Sequence, residues 1–538
     1  MRKIEYPLLD LKFKDFEKDL EKAFKQSFFL PKNVFPKEFL IKEKGSICGG
    51  YFACYNKTVS TEEINEFCKN RQWDKFGQLI GDFIIIFCDS STKEIFVLTD
   101  LTGKFPCYFS HSTKQIVVST DFGMVKDSIT QRTLNIDYAL DLFTWSNVLL
   151  ITDQTIISEI HQLPPATLLK VTGEDFSLTP LLDGEKFWNK KVNRYFSVEE
   201  YTNDFLELLK KLVMERLEKI DNLKFGCDLS SGFDSPLVAY TLKKVSKTPF
   251  TCYSQAPPQF IEDTDPKHVL TFAEKHSLDV KFFTESIYPY LSKHDLSATA
   301  DNPIQSPMGE INYAYQEMLS DDGVKLLFKG EGGDELYGIE EDSAKYILQE
   351  NYFYVVRSSK RSDSTMFLTR GAEKLVLDRS RFMKKKSYIQ ILSETAIWVS
   401  WFIFPWAWET KVWPLMPFAD PRIVALARHA PFKNKKSYSK QELWKNHDEI
   451  FLPVQFRKKG SPVGLQKYGL PRTSKFIISL FKKSILGEIG WVNSKKIVED
   501  FQAERIEKYL EDGPITYFNP LVRLEYFLQN NNIKIPNI

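Results

Sequence analysis

The strongest constraint on the fold is a strand, a loop of small residues and a helix that follow one another between residues 223 and 242. Residues 223–229 have the apolar character of a buried strand, and the loop after them reads Ser-Ser-Gly-Phe-Asp-Ser. A helix is predicted to begin at Pro236, because the N–H that proline lacks would have no partner in a first helical turn. Backbone N–H groups of such a loop bind phosphate together with the helix dipole. The segment therefore predicts an α/β domain with a phosphate site after this strand.

Asp234 is the acidic residue of this loop. An isolated carboxylate would repel phosphate, so its presence is explained if it holds a divalent cation that bridges to a nucleotide. The loop is not a Walker A loop, because the Gly-Lys-Ser/Thr signature is missing. Taken alone, it could instead be an ordinary tight turn between a strand and a helix.

A second loop of similar character lies about a hundred residues further on. Residues 324–328 are predicted to form another buried strand, and residues 330–334 after it read Gly-Glu-Gly-Gly-Asp. Glycines let backbone approach a ligand closely, and open α/β sheets bind ligands at the carboxyl ends of their strands. Alone this segment could be an acidic turn, but the two loops together predict one ligand site.

The two loops resemble those of the asparagine synthetase family, which includes β-lactam synthetases and lasso-peptide cyclases. The first loop is similar to the Ser-Gly-Gly-x-Asp-Ser loop of N-type ATP pyrophosphatases, with Ser231 at the first glycine position. Segments at the family's spacing also match, namely 417–420 (Pro-Phe-Ala-Asp), 440–443 (Lys-Gln-Glu-Leu) and 457–460 (Arg-Lys-Lys-Gly). Trp444 departs from the pattern, since the family usually has arginine there.

The resemblance implies a set of site residues. The ATP-binding residues it implies are Leu229, Ser230, Ser231, Gly232, Asp234, Ser235 and Gly330. It implies that Asp234 and Asp334 hold Mg²⁺. The catalytic residues it implies are Lys459, Glu331 and Lys440.

The resemblance also implies a reaction. A substrate carboxylate attacks the α-phosphorus of ATP and releases pyrophosphate, and an amine then displaces AMP to form an amide. A cation stabilises the charge that develops in both steps, and Lys459 is the candidate. The amine must lose a proton to a base. Glu331 stands where asparagine synthetases carry glutamate and β-lactam synthetases carry tyrosine.

The first two hundred residues resemble the distal half of the family's glutamine amidohydrolase domain. Residues 81–87 and 96–100 predict a β hairpin, and residues 156–169 are similar to the family's closing hairpin. The catalytic half is not recognisable, because Arg2 stands where the family needs cysteine and Cys48 lies far inside the chain. We therefore expect a layered antiparallel α+β domain, similar to a glutamine amidotransferase, that has lost glutamine hydrolysis.

The predicted domains are a degenerate glutaminase-like domain over residues 1–185 and an ATP-dependent synthetase domain over residues 195–538. The second is expected to be a parallel-sheet domain similar to the adenine-nucleotide α-hydrolases, with a helical tail. The boundary is placed in the polar stretch 172–193. A length of 538 residues allows about three or four domains, but the motifs support two large ones.

The net charge and the cysteine content limit which binding partners and which cellular compartment the sequence predicts. A formal net charge of +1 gives no electrostatic reason to expect nucleic acid. Seven cysteines without Cys-x-x-Cys spacing fit neither a disulfide framework nor a zinc site, which predicts a reducing cytoplasm. The first 22 residues are too charged for a signal peptide.

Residues 395–408 form an apolar stretch with six aromatic residues. At 14 residues it is shorter than the ~20 that a membrane span requires. It is predicted to be a buried helix that ends near Pro405. The alternative is that it lines a pocket for an apolar or peptide-like substrate.

The function predicted from the sequence is ATP-dependent, AMP-forming amide synthesis from a small-molecule or peptide substrate with a carboxylate and an amine. A lasso-peptide cyclase, which makes a macrolactam, is preferred over a β-lactam synthetase, and a peptide-processing partner protein is left open. The alternatives are an ammonia-dependent asparagine synthetase and an inactive binding or scaffold protein. A tRNA-modifying enzyme is disfavoured, because the chain has neither a basic face nor a catalytic cysteine pair.

Overall fold

The computed structural model describes most of the chain, and the structural statements below concern those residues. They are 8–12, 35–142, 153–181, 197–220, 222–256, 266–285, 291–304, 309–336, 345–349, 352–356, 367–372, 374–375, 394–427, 440–452, 469–506, 509 and 512–536.

The front part of the chain is mainly β structure. Its strands are β1 (Leu8–Lys12), β2 (Lys37–Glu43), β3 (Ser46–Cys54), β4 (Gly81–Asp89), β5 (Glu94–Thr99), β6 (Tyr108–His111), β7 (Gln115–Ser119), β8 (His161–Gln162), β9 (Thr167–Val171) and β10 (Phe176–Pro180). Its helices are α1 (Thr61–Lys69), α2 (Trp73–Phe76), α3 (Phe122–Ser128) and α4 (Ile136–Leu142).

Strands and helices alternate in the second part. Its strands are β11 (Phe225–Asp228), β12 (Thr251–Gln255), β13 (Asp279–Phe283), β14 (Leu326–Phe328), β15 (Lys345–Gln349), β16 (Tyr352–Val356) and β17 (Trp413–Leu415). Its helices up to the last strand are α5 (Val198–Leu217), α6 (Asp234–Val245), α7 (Pro266–His276), α8 (Lys293–Asp301), α9 (Gly309–Asp321), α10 (Gly333–Leu336) and α11 (Glu394–Thr410).

Helices dominate the chain after β17. A 3₁₀ turn at Pro417–Ala419 precedes α12 (Pro421–Ala427), α13 (Lys440–Trp444), α14 (Ser474–Lys482), α15 (Ile485–Glu488), α16 (Ser494–Gln502) and α17 (Asp512–Asn530). The last four form the helical tail, whose apolar side chains share one core with α3, α4, β6 and β7. The tail therefore packs back onto the front part of the chain.

Two antiparallel sheets form the front part, in the orders β10-β9-β5-β4-β3-β2 and β1-β7-β6-β8. Strand β4 is buried on both faces, as its almost unbroken apolar sequence requires. Ile84 and Ile86 lie in the core that also contains residues of β6 and β7. Phe83, Ile85 and Phe87 pack in the core beneath α1 and α2. The predicted antiparallel β structure of the front part and its β4–β5 hairpin are confirmed, whereas the glutamine amidotransferase-like domain stays a prediction.

Residues 156–169 are not the hairpin that the sequence predicts. Strand β8 pairs with β6 in the smaller sheet, whereas β9 pairs with β5 and β10 in the larger one. Pro164 and Pro165 lie between them and lack the N–H groups that a ladder needs. The segment therefore crosses from one sheet to the other. Strand β9 forms its hairpin with β10, which lies inside the polar stretch 172–193 where the domain boundary was placed.

A parallel sheet forms the centre of the second part, in the order β13-β12-β11-β14-β17. From β11 the chain moves to one side through β12 and β13, and then returns to place β14 on the other side of β11. This change of direction makes a crevice between the carboxyl ends of β11 and β14, where open α/β sheets bind ligands.

The aromatic stretch 395–408 lies within α11, which continues to Thr410 with Pro405 inside it. The predicted end near Pro405 is therefore wrong. Phe404, Trp406 and Trp408 are buried. Trp408 contacts Tyr51 of the front part edge-on, with ring centroids 5.1 Å apart. The described side chains of this helix thus support the buried-helix interpretation and not a substrate-lined pocket.

Candidate active site

The two predicted loops follow the two central strands, β11 and β14, and meet at the crevice between them. Cys227 and Phe328 are paired in register, so the residues after them emerge side by side. Strand β11 is shorter than predicted, and α6 begins at Asp234 rather than at Pro236. Proline is tolerated throughout a first helical turn, which explains the earlier start.

Side chains inside the first loop fix its shape. The Ser230 N–H donates to Ser235 Oγ at 2.9 Å, and the Gly232 N–H donates to Ser230 Oγ at 3.2 Å. The two serine hydroxyl oxygens lie 2.9 Å apart. Leu229 is tied to β12 through its N–H, which donates to the carbonyl of Tyr253 at 2.7 Å. The loop is therefore curled around the amino end of the twelve-residue helix α6, as a phosphate site requires.

Two glycines let the second loop approach the first more closely than side chains would permit. A Cβ on Gly330 would lie 2.5 Å from the Ser235 nitrogen. A Cβ on Gly333 would lie 2.4 Å from Cγ of Asp234. Real Cβ atoms do not approach neighbours this closely, so both positions depend on the missing side chain. The structure thus brings together the predicted residues of both loops, with the Asp234 carboxylate against Gly333.

A buried charged cluster that the sequence did not predict lies at the base of the two loops. Lys329 Nζ donates to Asp228 Oδ2 and lies 3.1 Å from Glu331 Oε1. The Tyr315 hydroxyl on α9 donates to Asp228 Oδ1 at 2.5 Å. Parallel pairing explains the contact, because Asp228 and Lys329 come one residue after the registered pair of Cys227 and Phe328.

Electrostatic effects in this cluster keep the lysine charged. Burial lowers the pKa of Lys329, but attraction to Asp228 and Glu331 outweighs it, so the pKa is raised above its usual value. Burial raises the pKa of Glu331, which the Lys329 charge partly opposes. Burial also raises the pKa of the Tyr315 hydroxyl, and Asp228 raises it further. Tyr315 therefore remains a hydrogen-bond donor to Asp228.

The predicted magnesium ligands are Asp234 and Asp334. The Asp234 carboxylate is an oxygen donor of the kind that Mg²⁺ prefers, and it faces the second loop where nucleotide phosphates would lie. The Asp334 side chain is outside the described residues. Within the part of the chain that the structure describes, no group of three or more His, Cys, Asp or Glu side chains could hold a metal. The Asp234–Asp334 pair therefore stays a prediction.

The lysines predicted to be catalytic cannot be placed relative to the loops. Lys459 lies outside the described residues. Lys440 begins the short helix α13, but its side chain is not described. Their roles therefore stay predictions.

Trp444, which replaces the family's arginine, belongs to an aromatic chain that supports the first loop. Its ring centroid lies 5.6 Å from that of Phe451, and the Phe451 centroid lies 5.1 Å from that of Phe233 in the loop. On its other side Trp444 meets Phe205 of α5 edge-on at 5.7 Å. The departure from the family pattern thus supplies apolar packing behind the loop.

The front part of the chain contacts the strand next to the site. The Trp413 Nε1–H donates to Asp82 Oδ2 at 2.8 Å, and Lys104 Nζ donates to the same oxygen at 2.9 Å and to the Pro414 carbonyl at 3.1 Å. Tyr55 donates its hydroxyl to Asp82 Oδ2 at 2.6 Å. Leu415 at the end of β17 accepts the Lys329 N–H at 2.8 Å. Buried polar contacts therefore connect the front sheets to the second loop through β17.

Comparison with known proteins finds similarity to asparagine synthetases over part of the chain. Residues 204–397 match the family model of asparagine synthase. A curated protein of Methanocaldococcus jannaschii, described as a "putative asparagine synthetase" of the glutamine-hydrolyzing type, is 23% identical over 314 residues. The alignment covers 54% of this chain and 53% of that protein, so the chain spans about half the length of its curated relative. The match and the alignment show what this part of the chain is similar to.

Two solved structures resemble parts of the chain distantly. Glutamine phosphoribosylpyrophosphate amidotransferase from B. subtilis is 11% identical, with a TM-score of 0.19, over 55% of this chain and 64% of that chain. The U34-tRNA thiolase NcsA from Methanococcus maripaludis is 12% identical, with a TM-score of 0.24, over 61% of this chain and 85% of that chain. At these scores the similarity carries no argument about function.

Proposed function

Because the chain carries an asparagine synthase domain over residues 204–397, we propose that it is an ATP-dependent, AMP- and pyrophosphate-forming amide synthetase. It adenylates a substrate carboxylate and couples it to an amine without hydrolysing glutamine. The contact between the two loops at the crevice of the parallel sheet carries the proposal. A turn that merely links a strand to a helix would not need Gly333 against Asp234.

Each half of the reaction has candidate residues. The loop 229–235 and the amino end of α6 bind the phosphates. Asp234 with Asp334 would hold Mg²⁺, which would screen the phosphate charge. A substrate carboxylate oxygen then bonds to the α-phosphorus as pyrophosphate leaves. In the second step the amine nitrogen bonds to the acyl carbon, AMP leaves with the electrons of the broken C–O bond, and a proton passes to Glu331. Lys459 neutralises the charge on the tetrahedral oxygen.

The state of the cysteines supports synthesis without glutamine hydrolysis. A thiol nucleophile must be accessible and ionised. All seven cysteines of the chain are buried. Burial raises the pKa of Cys54, Cys88 and Cys107 among them. The nitrogen is therefore proposed to come from the substrate itself or from a second amine.

The substrate branch we favour is a peptide whose own amine closes a macrolactam, as in lasso-peptide cyclases, with a β-lactam-forming enzyme second. Glu331 at the position where β-lactam synthetases carry tyrosine supports this order. The buried helix α11 offers it no support. Glu331 favours an ammonia-dependent asparagine synthetase as the alternative. The M. jannaschii relative, described as glutamine-hydrolyzing, favours asparagine synthesis but not ammonia as the nitrogen source. An inactive scaffold protein is the alternative of another class.

A peptide-processing partner protein and a cytoplasmic location stay predictions. Among the described residues, no helix is long and apolar enough to cross a membrane.

Release of pyrophosphate tests the proposal. The full chain is mixed with Mg·ATP and a panel of carboxylates that includes aspartate with ammonium and amine-bearing peptides. Acid-dependent release of pyrophosphate, with an equal amount of AMP, is expected. This release should be lost in Asp234→Asn. It should be retained in the matched control Asp321→Asn, because Asp321 is exposed at the end of α9, before the amino end of β14. Amide formation with Lys459→Met should also be lost. Turnover of aspartate with ammonium would identify the alternative branch, and Asp234→Asn activity equal to that of the unchanged protein would refute the site.

A further inference from the structure

The cluster of Asp228, Lys329 and Tyr315 lies between two functional loops but belongs to neither of them. Asp228 is the last residue of β11, directly before the first loop, and Lys329 follows β14, directly before Gly330. Tyr315 reaches Asp228 from α9. The cluster therefore connects the first residues of both loops at the carboxyl ends of β11 and β14.

Burial of the Lys329 ammonium costs free energy unless the carboxylates of Asp228 and Glu331 compensate its charge. The side chain of Lys329 is 7% exposed, whereas those of Asp228 and Glu331 are 19% and 27% exposed. A buried ammonium is retained only when it is paired and hydrogen-bonded. If stability alone were selected, an apolar pair of similar volume would serve equally well at these positions. The charges are therefore better explained by what Lys329 does to its second carboxylate.

Glu331 is the partner that the lysine orients. Asp228 fixes Lys329 Nζ from one side, and Tyr315 fixes Asp228 in turn. Lys329 Nζ then lies 3.1 Å from Glu331 Oε1, and Glu331 is the more exposed of the two side chains. A glutamate on a glycine-rich loop would otherwise sample several rotamers. The row of contacts selects one position for its carboxylate.

We propose that Lys329 is a positioning residue, held by Asp228, that aims the Glu331 carboxylate at the amine in the second half of amide synthesis. The inference rests on the proposed function, in which Glu331 receives the amine proton as the C–N bond forms and AMP leaves. It assigns Lys329 and Asp228 to the amine-dependent half-reaction and not to the binding of ATP.

Two half-reactions and a double variant test this assignment. The probes are glycyl-glycyl-aspartate and L-aspartate as acids, with ammonium and hydroxylamine as amines. Acid-dependent exchange of pyrophosphate into ATP reports the first half-reaction, and hydroxamate or amide formation reports the second. The variants are Lys329→Met, Asp228→Asn/Lys329→Met and Glu331→Gln. The matched control is Lys325→Met, which lies before the other end of β14.

Lys329→Met is expected to keep exchange within about threefold and to lose amide formation by about 100-fold, the order of a general base's contribution. It should also unfold more readily, because it leaves the partly buried Asp228 carboxylate without its cation. The double variant removes both charges, and the amide oxygen introduced by Asp228→Asn would still accept the Tyr315 hydroxyl. The double variant should therefore recover thermal stability while amide formation stays low, as in Glu331→Gln.

The measurements distinguish a failure of the Lys329 positioning role from a failure of the proposed amide synthetase activity. A double variant that recovers amide formation together with stability would overturn the positioning role and leave a fold-stabilising pair. A loss of exchange equal to the loss of amide formation would overturn it as well. If the unchanged protein shows no acid-dependent exchange with either probe, the proposed function fails for these acids and the inference fails with it.

Discussion

Lys104→Met should destabilise the protein strongly, although the residue lies far from the site in sequence. Lys104 and Asp82 have side chains that are 3% and 2% exposed, and the Lys104 ammonium also donates to the Pro414 carbonyl. Methionine keeps most of the aliphatic stem but removes the charge. Asp82 is then left as a buried carboxylate with two neutral donors, Tyr55 and Trp413. Breaking one partner of a buried ion pair costs about 3 to 5 kcal/mol.

Urea unfolding followed by tryptophan fluorescence measures this loss, since Trp413 is part of the cluster. The matched control is Lys69→Met, which removes an exposed lysine paired with Glu43 and Glu66 and should leave the midpoint unchanged. The double variant Asp82→Asn/Lys104→Met removes both charges and keeps an acceptor for the neutral donors, so it should recover more than half of the loss.

A Lys104→Met free energy of unfolding within about 1 kcal/mol of that of the unchanged protein would refute the reasoning, because it would place the cluster in effective contact with water. A double variant no more stable than the single one would show that the lost bond to Pro414, and not the stranded charge, sets the cost.

Two further results are expected from the same structure. Burial, reinforced by Asp82, raises the pKa of Asp100 to about 7; the folded state then holds a proton that the unfolded state releases near pH 4, so the free energy of unfolding should fall as the pH rises from about 4 to about 7. The fall should be smaller in Asp100→Asn, and equal slopes in urea titrations from pH 5 to 7.5 would contradict this. Gly333→Ala places a Cβ 2.4 Å from Asp234 Cγ and should lower acid-dependent pyrophosphate exchange at least about tenfold, at a stability cost of about 1 to 3 kcal/mol. The control Gly371→Ala, whose Cβ would meet nothing closer than 3.9 Å, should change neither, and an active Gly333→Ala would argue against the close fit of the loops.

The sequence predicted the parts of the site that are local. A strand followed by glycines, serines and an acidic residue has a restricted set of conformations, and both loops lie where that pattern places them. The Asp228–Lys329 pair could not be read in this way, because its members are 101 residues apart and a lysine is normally solvated. Only the register of β11 with β14 places them side by side, and that register is a tertiary property.

Two predictions from the sequence were wrong for the same reason, namely that local sequence signals do not report tertiary contacts. Pro405 is a strong local signal for the end of a helix, yet α11 continues through it to Thr410. Phe404 of α11 packs against Phe105 of the front part and Trp413 of β17, and this packing outweighs the local preference. Residues 156–169 read as one hairpin, but their two strands belong to different sheets. Propensity describes single segments and does not assign their partners.

The core that runs from the front sheets through α11 to the parallel sheet has a consequence for how this chain can be divided. A cut in the polar stretch around residue 185 would separate Tyr51 and Phe105 from Trp408 and Trp413, which contact them. Each fragment would then present to water an aromatic surface that the other normally covers, and a nicked chain would stay together as a noncovalent pair. The second part of the chain is therefore expected to aggregate when it is expressed alone, and a fusion or truncation intended to isolate it should carry residues 35–181 along.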